Sequence, residues 1–429
     1  MSGGPAMAAP RRVVVTGAGV VSALGCTPGE LWDGLCSDRS GVGPVTRFDP
    51  GRFRCRVAAQ VDDGRLRFDG AFAFELKRMS AFVRYALFAA EQAVAASGIP
   101  VAARAARGRV FLGVAMGGLP SVEAGVMRQE ARGPRHTTPF LIPSLIPSMA
   151  ASMIALRLPL TGPQCTIAGA CASGSQALGE ARRSIRDGHC DWAVAGGAEA
   201  VTTPITYSGF EAMAALSLVQ DPAATPRPFD ARRDGMVVGE GAAAFLLEER
   251  SHALARGAPI LGELTGFATN SGGGDLTAPS ADHLADCMAG AVADAELEAA
   301  DVDAVFAQAS GMVVGDAREM DALQKVFGGR SPAVTSIKGH VGYLFAGNGP
   351  LGLAAALLAL RAQALPPTRN FQAVEPAYAG LDVVAEPRPM ALRRCLINAF
   401  GFGGINASLV VSLDVGGSEP PLSPTPPTG

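Results

Sequence analysis

The feature that most narrows the fold is an alternation that runs along almost the whole chain. Short runs of β-branched and other apolar residues take turns with long Ala-rich stretches. Residues 11–16 (RRVVVT), 110–114, 192–195, 243–247, 261–267, 304–307, 396–399 and 407–411 read as buried strands, because short apolar runs without polar alternation suit strands covered on both faces. Residues 80–97, 174–187, 281–295 and 351–362 are rich in good helix formers at helical length. Strands separated by helices imply parallel βαβ construction with helices covering the sheets. At 429 residues the chain exceeds what one core usually serves. A second α/β unit starts near residue 260, so two similar halves are expected, residues 12–255 and 256–415. Residues 1–11 and the Pro-rich 416–429 read as disordered ends.

Composition removes several function classes. A formal net charge of −3 gives no electrostatic reason to expect nucleic acid or an anionic membrane as partner. With 48% apolar and 17% charged residues, much buried surface is expected, including room for a subunit interface. The apolar stretch 139–160 is broken by Pro143, Pro147 and Pro159, which argues against a membrane span. The first residues lack the apolar core of a secretory signal. Eight cysteines lie scattered without a CxxC pair, which argues against a zinc site, or any other metal centre, and against a disulfide framework. Most of them read as small buried hydrophobes in a reducing cytoplasm.

One of these cysteines stands apart. In residues 162–199 (GPQCTIAGACASGSQALGEARRSIRDGHCDWAVAGGAE), a strand-like run ends near Ala168, a turn of small residues follows, and a helix begins just after Cys171. A thiol at a helix N-terminus faces unpaired N–H groups and the positive end of the dipole, so a lowered pKa and a nucleophilic sulfur are expected. Ala170, Ala172, Ser173 and Gly174 keep the turn open to a thioester, and the Cys171 N–H can serve as an oxyanion donor.

In this order of features the segment resembles the active-site region of the β-ketoacyl carrier-protein synthases of the thiolase superfamily. The similarity extends to VVVTGAGVVSALG at 13–25, to RPFDARRDGMVVGEGAA at 227–243 and to NAFGFGGIN at 398–406. It implies the five-layered αβαβα thiolase fold with two similar halves, a dimer, and acyl groups delivered on the phosphopantetheine arm of an acyl carrier protein, with no cofactor bound. It also implies that the glycine-rich loop supplies a second oxyanion N–H beside Phe402 and Gly403, and that Phe402 gates the acyl tunnel.

The resemblance fails at the histidines. Family members that condense malonyl groups pair the cysteine with two of them, which promote decarboxylation. Gln308 stands where the first is expected, and glutamine cannot exchange a proton near pH 7. The second normally follows a lysine by five residues. Counted without gaps from Lys338, that position holds Tyr343, and Gly352 falls where a glutamate partner of the lysine is expected. A shortened turn would instead bring His340 into the site. Of the five histidines, His189, His252 and His283 read as solvated surface residues, and His136 as a loop residue. The stretch 302–367 also resembles the chain-length factor subunits of type II polyketide synthases, which lack the histidines.

Three functions are therefore open. An acyltransferase would load Cys171 from a carrier protein and pass the acyl group to an acceptor without decarboxylation. A non-catalytic subunit would pair with another ketosynthase-like chain. A decarboxylative condensing enzyme would use Cys171, Lys338 and His340. All three belong to polyketide or fatty-acid-type biosynthesis, as a homodimer or heterodimer.

Overall fold

The computed structural model describes residues 11–414 except 38 and 274. The disorder expected at 416–429 and at the first ten residues lies outside the described residues. Arg11, counted with that tail, is instead anchored: its guanidinium donates to Asp191 at 2.9 Å and to the Cys190 carbonyl at 3.2 Å.

The apolar runs form β1 (Val13–Val21), β2 (Gly108–Gly113), β3 (Gln164–Ile167), β4 (Trp192–Glu199) and β5 (Gly241–Glu249). Beyond them come β6 (Gly262–Ser271), β7 (Ala304–Phe306), β8 (Ala333–Thr335), β9 (Asp382–Val383), β10 (Arg394–Phe400) and β11 (Ile405–Ser412). They lie in the order β9-β8-β7-β10-β11-β6-β1-β5-β4-β2-β3. Each half repeats one plan. Strands β3, β2 and β4 run parallel, and β5 pairs antiparallel with both β4 and β1; in the same way β8, β7 and β10 run parallel, and β11 pairs antiparallel with both β10 and β6, with β9 added at the edge beside β8. The halves meet where β1 and β6 pair antiparallel over only two residue pairs, Val14 with Glu263 and Val15 with Gly262.

The Ala-rich stretches supply the helices: α1 (Ala81–Ser97), α2 (Leu119–Arg132), α3 (Met149–Arg157), α4 (Ser173–Arg186), α5 (Pro204–Ala212), α6 (Ala281–Asp294), α7 (Val313–Phe327) and α8 (Asn348–Ala362). Helices α1 and α3 cover the outer face of the first half, and α6 with α7 the outer face of the second. Between the halves lie α4 and α8, which touch each other and both sheets. This is the expected helix–sheet–helix–sheet–helix order. Leu178, Ala181 and Ile185 of α4 share a buried cluster with Leu353, Leu357 and Leu360 of α8. A helix between two sheets must be apolar on all sides. Residues Phe345–Ala362 are accordingly long and apolar enough to cross a membrane, yet 83% buried within the protein.

The central layer packs so tightly that it sets limits on side-chain size. A Cβ on Gly197 of β4 would lie 2.4 Å from the Ala346 carbonyl oxygen and 3.0 Å from the Gly174 Cα. Gly197→Ala should therefore cost about 1–3 kcal/mol, the usual cost of overpacking, read as a lower urea midpoint with unchanged slope. Gly380→Ala, with nothing within 4 Å of its added Cβ, should stay within about 0.5 kcal/mol of the parent.

Candidate active site

Cys171 sits where the sequence placed it, in the turn between β3 and α4. The turn is tight: Ala170 takes a left-handed conformation at φ +46°, unusual for a residue with a Cβ, and Ala170–Ala172 form a single 3-10 turn before the helix. Ser173 holds it, accepting from the Gly169 N–H at 2.8 Å and donating to the Ala170 carbonyl. Cys171 is only 5% exposed, yet it lines a cavity of about 400 Å³ walled by Met213, Ala215, Met312, Val313, Phe400 and Phe402.

Three groups near the sulfur favour its anion: the Tyr343 hydroxyl, the Phe402 N–H and its own N–H. The glycine-rich loop between β10 and β11 comes this close because a Cβ on Gly401 would lie 3.0 Å from the Cys171 nitrogen. Two of the three are backbone N–H groups, the kind of donor that oxyanion stabilisation uses. Tyr343 is fixed by Gln308, whose Nε2 donates to the Phe400 carbonyl at 2.9 Å and to the Tyr343 oxygen at 2.5 Å. A carbonyl can only accept, so Phe400 sets the orientation of the amide. The tyrosine oxygen therefore accepts a hydrogen bond from Gln308 and directs its own proton toward the sulfur. Backbone bonds seat the ring as well, with Tyr343 N–H to Val237 C=O at 2.8 Å and Gly239 N–H to Tyr343 C=O at 2.9 Å.

The expected lowering of the thiol pKa is reversed. Burial pushes Cys171 up to about 11, and the Tyr343 and Phe402 donors recover only part of that shift. Desolvation of a thiolate outweighs the hydrogen bonds that would support it. Burial likewise raises the Tyr343 phenol well above its ordinary value, so it stays protonated.

Lys338 was expected to be catalytic and to lack a carboxylate, because Gly352 replaces the usual partner. The structure corrects both points. Lys338 stands behind the cavity wall, donating to the Ala307 carbonyl at 2.6 Å, and its charge is supported by Glu319 and Asp316 on α7. Burial still lowers it to about 8. Glu319 accepts from the Gln308 and Ala309 N–H groups at 2.9 and 2.7 Å and from the Asn398 amide at 3.0 Å. Asp316, raised by burial to about 6, accepts from the N–H groups of Phe229, Ser310 and Gly311. Sequence reasoning missed this acidic pair. Its three-residue spacing on the same helical face as buried Met320 and Leu323 was the available signal.

Further expectations are corrected. His340 faces away from the sulfur: its ring nitrogens lie 3.0 Å from the Arg39 carbonyl and 3.3 Å from the Pro367 carbonyl, and it lines a separate cavity with Cys36 and Pro367. The ungapped register, with Tyr343 at the sulfur, is the one the chain adopts. Gly403 is not an oxyanion donor, because its N–H is spent on the Leu276 carbonyl at 2.9 Å. It serves the loop through its backbone, at φ +78°. The Phe402 ring stacks on Phe210 of α5 at 6.5 Å, and Phe210 on Phe345 at 5.4 Å, an aromatic set of which sequence reasoning named only Phe402. His252, expected in solvent, is half-buried with Nδ1 2.5 Å from Glu248, and His283 is half-buried too.

A thiol held near 11 fixes the pH behaviour of the site. Its thiolate fraction should rise about tenfold per pH unit from 7 to 9, so peptide-resolved alkylation of Cys171 by iodoacetamide should climb through this range without levelling off. Tyr343→Phe removes a donor worth about 1 kcal/mol and should slow that alkylation roughly fivefold at pH 8.

Comparison with known proteins adds a second line of evidence. A family model for the β-ketoacyl synthase N-terminal domain matches residues 10–253, and one for the C-terminal domain matches residues 261–372. The chain is 37% identical over 412 residues to 3-oxoacyl-[acyl-carrier-protein] synthase 2 of Coxiella burnetii (strain RSA 493 / Nine Mile phase I), covering 94% of this chain and 98% of that relative. Among solved structures it is similar to the ishigamide ketosynthase/chain length factor, with a TM-score of 0.88, 32% identity and coverage of 94% and 100%. It is also similar to a chain of a structure described as a type II PKS acyl-carrier protein in complex with its ketosynthase bound to the hexaketide, with a TM-score of 0.86, 29% identity and coverage of 94% and 100%.

Proposed function

Because the chain belongs to the β-ketoacyl synthase family, an acyltransferase family, we propose that it takes an acyl group from the phosphopantetheine arm of an acyl carrier protein onto Cys171 and passes it on without decarboxylating malonate. The observation that carries this reading is the set of donors at the sulfur. Phe402 N–H, Cys171 N–H and Tyr343 O–H support thioester exchange, while the histidine positions hold Gln308 and Tyr343. Neither of those can shuttle a proton at neutral pH, so the roughly 10²–10⁴-fold that general acid–base catalysis contributes is missing from the decarboxylation step.

A dimer is part of the proposal. Strand β3 ends the sheet with Gln164 and Cys165 exposed, and exposed Val126 and Met127 of α2, Ile142 and Ile205 of α5 add apolar surface. An open edge beside apolar surface suits pairing with a second ketosynthase-like chain. A cytoplasmic location is supported by eight unpaired cysteines. A second reading, a non-catalytic subunit of a heterodimer, is favoured by the same two histidine replacements.

Incubation with octanoyl-carrier protein should add one octanoyl group to Cys171 by intact mass, and Cys171→Ala should remove it. Malonyl-carrier protein should yield no carbon dioxide above background. Absence of any acyl adduct, with product formation by a co-purified complex unchanged in Cys171→Ala, would favour the subunit reading.

A further inference from the structure

Resting on the reading that Cys171 carries the acyl group, we propose that the acceptor is a second pantetheine thiol, so that the protein moves an acyl chain from one carrier arm to another. The case begins with what the cavity offers. Among the described residues that line it, only Cys171, Tyr343 and Asp316 can exchange a proton, and none is Lys, Arg or His. Asp316 is occupied, its two oxygens accepting from Ser310 at 2.9 Å, Phe229 at 2.9 Å and Gly311 at 3.0 Å. Tyr343 directs its proton to the sulfur. The wall therefore holds no base for an alcohol, no cation for a malonyl carboxylate and no open carboxylate for an ammonium, each of which would lose hydration on entering an apolar space. A thiol enters neutral and is a stronger acid than an alcohol, so the proton it must lose on attack can pass to the departing Cys171 sulfur.

Reversibility supplies the second step. In loading, the Cys171 sulfur forms a C–S bond to the acyl carbon, the bond to the arm sulfur breaks, and the thiol proton ends on the departing arm. In discharge, an incoming arm thiol forms the C–S bond, the bond to Cys171 breaks, and the proton returns to Cys171. The same two N–H groups hold the oxygen, and the same hydroxyl steadies the sulfur. A site equipped to load is thus equipped for this acceptor with no added group. One more acceptor awaits the arm: Gln308 Oε1, in a residue 7% exposed on the cavity wall, is buried without a hydrogen-bond partner, and an arm amide N–H would satisfy it.

The test loads the full chain with radiolabelled octanoyl from its carrier protein, removes the donor, and offers pantetheine, butylamine, butanol or malonyl-carrier protein at equal concentration. Label should reach pantetheine at least about tenfold faster than any other acceptor. Because loading and discharge are one reaction in two directions, Tyr343→Phe should slow both by a similar factor, about fivefold for a lost donor to the sulfur. Discharge to butylamine, butanol or malonyl-carrier protein at a rate equal to or above that to pantetheine overturns the proposal. So does a Tyr343→Phe protein slowed in loading alone. Failure to load at all overturns the function beneath it and is seen before any acceptor is added.

Discussion

A sulfur withdrawn from water is the constraint around which the site is organised. Removing Cys171 from solvent makes its anion expensive, and the surroundings answer with hydrogen-bond donors: two backbone N–H groups and a phenol that Gln308 holds in one orientation. Each donor calls for its own support. Phe402 reaches the sulfur because Gly401 lets the loop close on Cys171, Tyr343 because residues 237–239 bond its backbone, and Gln308 because Glu319 accepts from its N–H. Lys338 offsets the carboxylates from behind. Reactivity at one atom thus depends on a polar lattice whose members seldom touch the cavity.

Replacing an imidazole by this pair changes what the site can do. Imidazole offers a donor, an acceptor and an exchangeable proton near neutral pH. Gln308 and Tyr343 offer hydrogen bonds but no proton exchangeable near neutral pH, with Tyr343 protonated by burial. Interactions with a sulfur and an oxyanion survive the exchange; delivery and removal of protons do not.

Much of the architecture was legible in the sequence because it rests on local pattern. The runs at 192–195 and 243–247 and the Ala-rich 351–362 have the period and length that two-sided burial demands, and they became β4, β5 and α8. The turn at Cys171 was legible because small residues admit no other reading between a strand and a helix. What was hidden depends on distance in space. The register near Lys338 could not separate His340 from Tyr343, since three residues decide it and only backbone pairing with 237–239 settles it. The thiol pKa was misread because a helix N-terminus is visible in sequence, whereas the depth of Cys171 beneath the Phe402 loop is not. Glu319 was missed because its partners are distant in the chain, Gln308 just past the end of β7 and Asn398 within β10.

The repeated halves bring one more consequence. Cys171 belongs to the first half, while Gln308, Tyr343 and Phe402 belong to the second, and the sheets pair directly only at β1 and β6, over two residue pairs, with α4 and α8 packed between them. Neither duplicate holds the candidate site alone; Cys171 meets the groups beside it only at the seam. A slight slip between the twins, well short of melting either, would part the sulfur from its donors while every strand stayed in place.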